Sequence, residues 1–275
     1  MDIEQVRAFN RTVAERIGAL QETYLDLGRP LGANRVLWEI GEGTDLRTLR
    51  ARLNLDSGYL SRLVASLQRD GLVETSPGAD KRVRAVALTE AGRAERAVLD
   101  RRSDELARDL LAPLSARQRE RLVEAMGTVE RLLTAGLVEV SVEDADSPDA
   151  RYCLGEYYKE LDARFDGGFD LTASLPVDDA VFIVARLRGE PVGCGAIKLA
   201  ESYIKRMWVA PAARGLGLGR RLLSELEQLS QSGVARLETN RNLREAINLY
   251  RASGYVEVEP FNDEPYAHHW FEKRL

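Results

Sequence analysis

Three glycines at alternate positions separate an apolar strand pattern from an amphipathic helix pattern in the second half of the chain. They are Gly215, Gly217 and Gly219, and the strand pattern ends at Val209. Glycines at a helix start let backbone N–H groups approach a ligand closely, and those groups together with the helix dipole favour a phosphate. The spacing does not match Gly-x-Gly-x-x-Gly, and no Gly-Lys-Ser/Thr follows. The pattern therefore predicts a phosphate-binding strand–turn–helix unit. The alternative is an ordinary helix start that the glycines make flexible and that binds no phosphate.

The first half of the chain has the periodicity of several helices, with apolar residues at steps of three and four. Helices are expected at residues 2–27, 31–40, 45–53, 56–70, 89–111 and 115–135. A period of two takes over in residues 72–88 and predicts a hairpin with a turn at residues 77–80. Two short helices joined by a tight turn and followed by a hairpin are typical of a winged helix-turn-helix.

In this motif class the N-terminus of the second short helix enters the major groove of DNA. Small, hydroxyl and arginine side chains at that end can reach base edges and phosphates, and a basic hairpin tip can contact phosphates or a minor groove. The candidate DNA-binding residues are Ser57, Gly58, Tyr59, Ser61 and Arg62 on the helix, and Lys81, Arg82 and Arg84 on the hairpin. The expected core-facing residues of the same helix are Leu60, Leu63, Val64 and Leu67.

Charge is divided unevenly along the chain. The net charge of −5 by itself argues against binding to nucleic acid. Residues 1–137 carry 22 Lys and Arg against 21 Asp and Glu, whereas residues 138–275 carry 17 against 23. Contacts with DNA must therefore come from a local basic patch in the first half.

The first half resembles the MarR family of bacterial regulators. The resemblance rests on Leu31-Gly32, on the run from Arg35 to Ile40, on Asp56 to Val73, and on Asp80-x-Arg82 followed by Leu88-Thr89-x-x-Gly92. It implies a homodimer formed by the first and last helices, which binds a roughly palindromic operator in double-stranded DNA. It also implies that Arg82 contacts a groove at the wing tip and that Asp80 positions it.

Past Gly136 the pattern changes to strands mixed with helices. Strands are expected at residues 138–142, 180–187, 191–199, 203–209, 235–239, 255–258 and 268–272, and helices at 148–165, 215–231 and 243–253. Mostly antiparallel strands followed by a strand–helix–strand–helix section indicate a mixed α/β domain. The sequence therefore predicts two domains: residues 1–137, helix-dominated with a hairpin wing, and residues 138–275, mixed α/β.

The second half, residues 138–275, resembles the GNAT family of N-acetyltransferases. Arg214-x-x-Gly217-x-Gly219 follows a strand that ends Val209-x-Pro211, as in the family signature. The segments from Leu237 to Asn240, from Asn242 to Tyr255, and from Tyr266 to Lys273 resemble its later motifs. The resemblance implies acetyl-CoA as the acyl donor, no metal, and direct transfer of the acetyl group to an amine.

Site residues follow from this resemblance. The implied cofactor-binding residues are Met207, Trp208, Val209, Arg214, Gly215, Leu216, Gly217, Leu218, Gly219, Arg220, Asn242 and Tyr250. Backbone groups of Met207 and Val209 would pair with the pantetheine, and the segment from Arg214 to Arg220 would hold the diphosphate. Tyr250 would protonate the departing thiolate. The alternative is that Tyr250 is only a core aromatic residue on one face of a helix.

The residue at the position of the general base differs from the family pattern. Where much of the family has a glutamate on the strand leading into the coenzyme site, this chain has Tyr203. Glu201 stands two residues earlier, on the same strand face if the strand extends that far. Glu201 is therefore the candidate base, with a surface carboxylate at a loop as the alternative.

These observations favour a bifunctional, cytoplasmic protein that regulates transcription and acetylates a primary amine on a small molecule or a protein lysine. One alternative is a regulator whose second half only senses acetyl-CoA; another is an enzyme whose helical half only dimerises. No run approaches the roughly 20 apolar residues that span a bilayer. Two cysteines and two histidines do not suggest a metal cluster. The acceptor and the operator are left open.

Overall fold

A computed structural model describes residues 2–21, 24–77, 84–172 and 179–275. The chain divides into two compact units, residues 1–126 and 127–275, so that the division falls within one long helix. The expected boundary between residues 137 and 138 lies later, at the first strand of the second unit, and stays a prediction. No described helix has both the length and the apolar composition that crossing a membrane requires.

The first unit has the helices and the hairpin that the sequence predicts. Its helices are α1 (Asp2–Arg16), α2 (Leu31–Glu39), α3 (Leu46–Leu53), α4 (Ser57–Arg69), α5 (Glu90–Leu111) and α6 (Ala116–Ala135), the last of which continues into the second unit. Its strands are β1 (Thr44–Asp45), β2 (Val73–Pro77) and β3 (Arg84–Leu88), which form an antiparallel sheet in the order β1-β3-β2. This arrangement confirms the winged-helix fold expected for the first half.

Helix α1 is shorter than the sequence pattern suggests. The expectation of one helix over residues 2–27 is wrong beyond Arg16. Gly18 has a φ of +69°, in the left-handed region, and its N–H donates to the Glu15 carbonyl oxygen at 3.1 Å. A left-handed glycine of this kind ends a helix because it cannot continue the right-handed turn.

Side-chain caps and one apolar face position α4. The Asp56 carboxylate accepts a hydrogen bond from the Tyr59 N–H at 2.8 Å and so satisfies a free donor at the helix start. The four apolar residues expected to face the core, Leu60, Leu63, Val64 and Leu67, are all buried. They pack with the buried residues of α2 and with Leu49 of α3, which leaves the opposite side of α4 open to solvent.

Gly92 joins the wing to α5 through a contact that only glycine permits. A Cβ on Gly92 would lie 1.9 Å from the Leu72 carbonyl oxygen. That same oxygen accepts a hydrogen bond from the Thr89 N–H at 3.0 Å, and the Thr89 hydroxyl accepts one from the Gly92 N–H at 3.0 Å. The Leu-Thr-x-x-Gly motif is therefore a helix cap in which the first turn of α5 lies directly on the backbone at Leu72.

The second unit is a seven-stranded sheet flanked by helices. Its strands are β4 (Val138–Glu143), β5 (Ala180–Leu187), β6 (Glu190–Lys198), β7 (Tyr203–Val209), β8 (Val234–Thr239), β9 (Val256–Val258) and β10 (His269–Arg274), in the order β4-β5-β6-β7-β8-β10-β9. Its own helices are α7 (Pro148–Arg164), α8 (Leu218–Leu229) and α9 (Arg244–Ala252). The mixed α/β fold expected for the second half is confirmed.

Strands β7 and β8 are the parallel pair of this sheet, and their pairing is short. The one registered pair described between them is Tyr203 with Arg236, at the start of β7. Beyond that pair, residues of both strands line a cavity rather than contact each other as a ladder. The split between the two strands therefore creates the space in which the site residues lie.

Candidate active site and nucleic-acid interface

A cleft of about 480 Å³ lies against the end of β7, the start of α8 and one face of α9. Ten of the predicted cofactor-binding residues line it: Met207, Trp208, Val209, Arg214, Gly215, Gly217, Leu218, Gly219, Arg220 and Tyr250. Leu216 and Asn242 are not among the lining residues. The structure therefore brings together most of the residues that were named from the sequence.

The glycine turn is open toward the cleft. Gly215 and Gly217 have φ values of +82° and +75°, and no described atom lies within 4 Å of the position that a Cβ would take on either residue. Because both glycines are in the left-handed region, α8 begins at Leu218 and not at Gly215 as expected. Gly217 is the N-cap, and no described side chain caps the first N–H groups of α8. This turn fits a diphosphate, because open N–H donors and the helix dipole both favour an anion.

Two carboxylates share the cleft with three arginines. Arg164, Arg214 and Arg220 line it, and so do Glu160 and Glu245. The Arg214 guanidinium donates one hydrogen bond to the Val209 carbonyl oxygen at 3.1 Å and another to Glu160 Oε2 at 2.5 Å. The Trp208 indole N–H donates to the same carboxylate oxygen at 3.0 Å. Glu160 therefore positions Arg214 over the end of β7.

Arg164 ties α7 to the start of α9. It donates to Glu245 Oε2 at 2.9 Å and to the Asn242 carbonyl oxygen at 2.7 Å. The hydrogen bond from Arg164 lowers the pKa of Glu245 to about 2. The Asn242 amide in turn donates to the Arg164 carbonyl oxygen at 2.9 Å. Asn242 therefore positions the loop before α9, which explains why it does not line the cleft.

A β-bulge turns β7 toward the cleft. Lys205 pairs with Ala196 and Trp208 with Cys194, so that Arg206 and Met207 both lie opposite Gly195. Arg206 has a φ of +57°, which is unusual for a residue other than glycine. The extra residue bends the strand and re-aims its side chains, and Met207 consequently lines both the cleft and the cavity beyond it.

The second cavity, of about 80 Å³, continues past Tyr250 between β7 and β8. Tyr157, Met207 and Tyr250 line both spaces. The charged residues around the second cavity are Lys205, Arg206, Glu238 and Glu264. The two cavities therefore meet at Tyr250, with the predicted coenzyme residues on one side and a charged, partly aromatic pocket on the other.

Tyr250 is buried in the position where the two cavities join. Burial raises the pKa of its hydroxyl, and the nearby Glu238 carboxylate raises it further. The hydroxyl therefore carries its proton at neutral pH and can act as a proton donor. Tyr250 also packs near Tyr255 and Phe271, with ring centroids 6.0 and 5.9 Å away, so its core role and its place in the site are compatible.

Glu238, at the end of β8, is the carboxylate whose surroundings best suit a general base. Its side chain is 8% exposed, and its Oε2 atom has no hydrogen-bond partner among the described residues. Burial raises the pKa of Glu238, although a hydrogen bond from Tyr203 and the charge of Lys205, whose Nζ lies 3.7 Å from Oε1, oppose the rise. Lys205 is held by Glu264 at 2.9 Å. Glu238 therefore faces the second cavity with one oxygen available.

Glu201 does not lie in this site. Strand β7 begins at Tyr203, so Glu201 falls in the preceding turn, where its side chain is 59% exposed and 3.7 Å from Lys198. It lines neither cavity. Sequence reasoning missed Glu238, whose signal was a carboxylate at the end of a strand that runs parallel to β7. Tyr203 stands where much of the family has a glutamate, and its hydroxyl lies within hydrogen-bonding reach of Glu238.

The nucleic-acid interface is described in part. The predicted residues Ser57, Gly58, Tyr59, Ser61 and Arg62 are all exposed at the start of α4. Arg84 donates to the Thr75 hydroxyl at 2.6 Å, and Gln68 of α4 donates to the same hydroxyl at 3.1 Å. These bonds tie the base of the wing to α4. Lys81 and Arg82 lie outside the described residues, as does Asp80.

Comparison with known proteins gives two domain matches and several relatives. A family model of a winged helix DNA-binding domain matches residues 35–92, and one of an acetyltransferase (GNAT) domain matches residues 178–257. An IAA acetyltransferase of Azospirillum brasilense is 39% identical over 101 residues, which are 34% of this chain and 65% of that protein, just under two thirds of its length. The N-alpha-acetyltransferase RimI of Mycobacterium tuberculosis is 30% identical over 138 residues, 46% of this chain and 84% of that protein.

Among solved structures, wild-type MarR from E. coli is 25% identical and has a TM-score of 0.40, covering 45% of this chain and 94% of its own. The acetyltransferase domain match coincides with the strands and the glycine turn that build the cleft. The winged-helix match coincides with α4 and the hairpin. The chain therefore belongs to the GNAT acetyltransferase family through its second unit and has a winged helix DNA-binding domain in its first.

Proposed function

We propose that this chain is both a DNA-binding transcriptional regulator of the MarR type and an N-acetyltransferase that moves an acetyl group from acetyl-CoA to a primary amine. The observation that carries the enzymatic half is the place of Tyr250, which lines the cleft with the glycine turn and also the cavity with Glu238. A proton donor thus stands at the junction of the cleft and the cavity, and a carboxylate with a raised pKa lines the cavity.

The glycine turn and the end of β7 suit coenzyme A. Open N–H groups at the start of α8, with Arg214 and Arg220, would hold the diphosphate, and the end of β7 would pair with the pantetheine in the manner of an added strand. When bound, acetyl-CoA supplies a thioester whose acetyl carbon an amine can attack.

The residues beside the junction would handle the protons. Glu238 accepts a proton from the acceptor ammonium, either directly or through water, and its raised pKa brings it closer to that of an amine. Tyr250 donates a proton to the departing thiolate sulfur. The C–S bond breaks as the C–N bond forms. The ammonium group loses two protons in all: one passes through Glu238 to solvent, and the second, lost from the nitrogen as the amide forms, balances the proton that the sulfur takes from Tyr250 and restores the Tyr250 hydroxyl. This assignment replaces Glu201 with Glu238 as the proposed base.

The enzymatic half is tested by incubating the full chain with acetyl-CoA and a panel of amines, amino acids and lysine-containing peptides while thiol release is measured. Glu238→Gln and Tyr250→Phe are each expected to lower kcat by about 100-fold or more. Glu201→Gln is the matched control, since it removes an exposed carboxylate from the turn before β7. Thiol release that is absent with every acceptor, despite coenzyme binding, would contradict the enzyme and indicate an acetyl-CoA sensor.

The regulatory half rests on α4 and the wing. Arg62 lies near Tyr59 at the exposed start of α4, with its guanidinium 5.8 Å from the ring centroid, so both can reach a groove. We expect the full chain to shift DNA from upstream of its own gene at a stated salt concentration. Arg62→Gln is expected to weaken the shift at least about tenfold. Arg69→Gln, at the other end of the same helix, is the control and is expected to change it little.

Homodimerisation belongs to the same proposal. Helices α1 and α6 have no buried residues, although both carry large apolar side chains. A second copy would cover these faces, as the MarR resemblance implies, and two recognition helices would then meet a palindromic operator. A DNA partner also favours a cytoplasmic location.

A further inference from the structure

Three aromatic residues form one wall of the cavity that contains Glu238. We call Phe165, Phe169 and Tyr266 the aromatic wall; all three line the cavity. The Phe169 and Tyr266 ring centroids are 4.9 Å apart, and Phe165 lies 5.6 Å from Tyr266 and 5.9 Å from Phe169. Phe165 is buried, whereas Phe169 and Tyr266 are only partly so. The aromatic wall therefore lines the cavity and is partly exposed to solvent.

Hydrogen bonds from the backbone hold this wall in place. The Phe169 N–H donates to Asp162 Oδ1 at 3.0 Å, and the next N–H, that of Asp170, donates to the Tyr266 hydroxyl at 2.8 Å. The Tyr266 carbonyl oxygen accepts a hydrogen bond from the Asn240 amide at 2.8 Å. The wall is thus fixed both to the end of β8, next to Glu238, and to the segment that follows α7.

The cavity that contains these carboxylates is small. Its volume of about 80 Å³ exceeds the roughly 10–15 Å³ needed to hold one water, so it has room for an ammonium group on a short unbranched alkyl chain. Lys205 and Arg206 balance the two negative charges of Glu238 and Glu264 there. The Glu238 Oε2 atom, which has no hydrogen-bond partner among the described residues, is the acceptor open to an ammonium group. A ring at the other end of that alkyl chain would contact Phe169 and Tyr266, which line the same cavity and are partly exposed.

From this arrangement we propose that the acceptor is a small arylalkylamine, a primary amine joined by a short unbranched chain to an aromatic ring. The ring lies against Phe169 and Tyr266, and the ammonium group points to Glu238. Aromatic pairs add to the attraction beyond the apolar area that they bury, and ring faces also attract the ammonium. This inference rests on the proposed acetyl transfer and adds the class of its acceptor.

The experiment compares three primary amines with the full chain and acetyl-CoA: phenethylamine, 2-cyclohexylethylamine and hexylamine. We expect kcat/KM for phenethylamine to exceed that for each of the other two by about fivefold to tenfold. Phe169→Leu is expected to raise the KM for phenethylamine by a similar factor, so that its preference over hexylamine is lost, and to leave the KM for acetyl-CoA unchanged, because Phe169 does not line the coenzyme cleft. Phe169→Tyr keeps the ring and is expected to restore the wild-type preference.

A calorimetric titration of phenethylamine into the chain saturated with coenzyme A gives a readout that does not depend on turnover. Binding there with turnover of all three amines at equal kcat/KM would uphold the acetyltransferase and overturn the aromatic acceptor. Selective binding of phenethylamine without any thiol release would uphold the aromatic pocket and overturn the enzyme. A preference for phenylalanine, which is branched beside the amine, or for a peptide would overturn the arylalkylamine assignment.

Discussion

Arg214 and Glu160, which both line the cleft, are joined by a hydrogen bond of 2.5 Å, with the Arg214 guanidinium as donor. The same guanidinium also donates to the Val209 carbonyl oxygen at the end of β7. Glu160 thus holds a cation where an anionic ligand would need it, but it also places a negative charge in the cleft. The two effects oppose each other, because an ordered arginine favours a phosphate and a neighbouring carboxylate repels it.

We predict that removal of this charge strengthens coenzyme binding. Glu160→Gln keeps an oxygen that can accept hydrogen bonds from Arg214 and Trp208 but loses the negative charge. The Kd for coenzyme A, measured by calorimetry at fixed salt, is expected to fall by about three- to fivefold. Glu156→Gln, on the same helix and outside the cleft, is the control and is expected to leave Kd unchanged. A higher Kd in Glu160→Gln would mean that the ordering of Arg214 outweighs the repulsion.

A second prediction concerns pH. Glu238 must be ionised to accept a proton, and burial raises its pKa above the usual value of 4.5. The acid limb of the kcat/KM profile is therefore expected at a higher pH than for an ordinary carboxylate. Tyr203→Phe removes the hydrogen bond that lowers this pKa, so the limb should move to still higher pH. Tyr152→Phe, at an exposed position of α7, should leave the profile in place.

The same raised pKa predicts an effect on stability. A carboxylate whose pKa is higher in the folded state binds more protons there, so its contribution to the free energy of unfolding falls as pH rises from 4.5 through the folded pKa. The side chain in Glu238→Gln does not ionise, so the variant does not lose this contribution to the free energy of unfolding as pH rises. The Tm of the variant relative to the wild type is expected to increase between pH 5 and pH 8 in calorimetric scans, while activity is lost. A difference in Tm that is constant over this range would argue against the raised pKa.

A fourth prediction concerns Gly92. Its replacement by alanine forces a Cβ against the Leu72 carbonyl oxygen, which is backbone and cannot move aside cheaply. Gly92→Ala is expected to lower the free energy of unfolding of the first unit by about 3 kcal/mol or more in urea titrations. Gly155→Ala, also in a helix but with no described atom within 4 Å of the new Cβ, should be neutral or slightly stabilising. Equal effects of the two substitutions would refute the contact.

The apolar stripe on α1 predicts the oligomeric state. Ile3 is 76% exposed, and Val6, Phe9 and Val13 continue the stripe at helical spacing. Val6→Glu combined with Phe9→Glu would bury unpaired charges in a dimer interface, so the dimer Kd is expected to rise at least about 100-fold in sedimentation experiments. Gln5→Glu, outside the stripe, is the control. A wild-type chain that sediments as a monomer at micromolar concentration would contradict the dimer directly.

Local chemistry determined which elements form. Apolar periodicity and the glycine turn at Gly215 could be recognised in the sequence, because each depends on residues close together in the chain. The strands at residues 180–187 and 203–209 follow the predicted bounds, and the winged helix and the mixed α/β domain are as expected. At Gly18 two local features disagree: the apolar spacing favours a continuing helix, and glycine favours a left-handed backbone. The backbone preference of glycine ended the helix there.

Tertiary structure decided which carboxylate reaches the junction of the two cavities. Glu201 precedes β7 and Glu238 lies at the end of β8, and only Glu201 was predicted as the base, because it stands two residues from Tyr203 along the chain. The folded sheet instead favours Glu238: the split between β7 and β8 leaves Glu238 facing the cavity and Glu201 in an exposed turn. Burial, and with it the raised pKa of Glu238, exists only once distant segments have packed around that carboxylate.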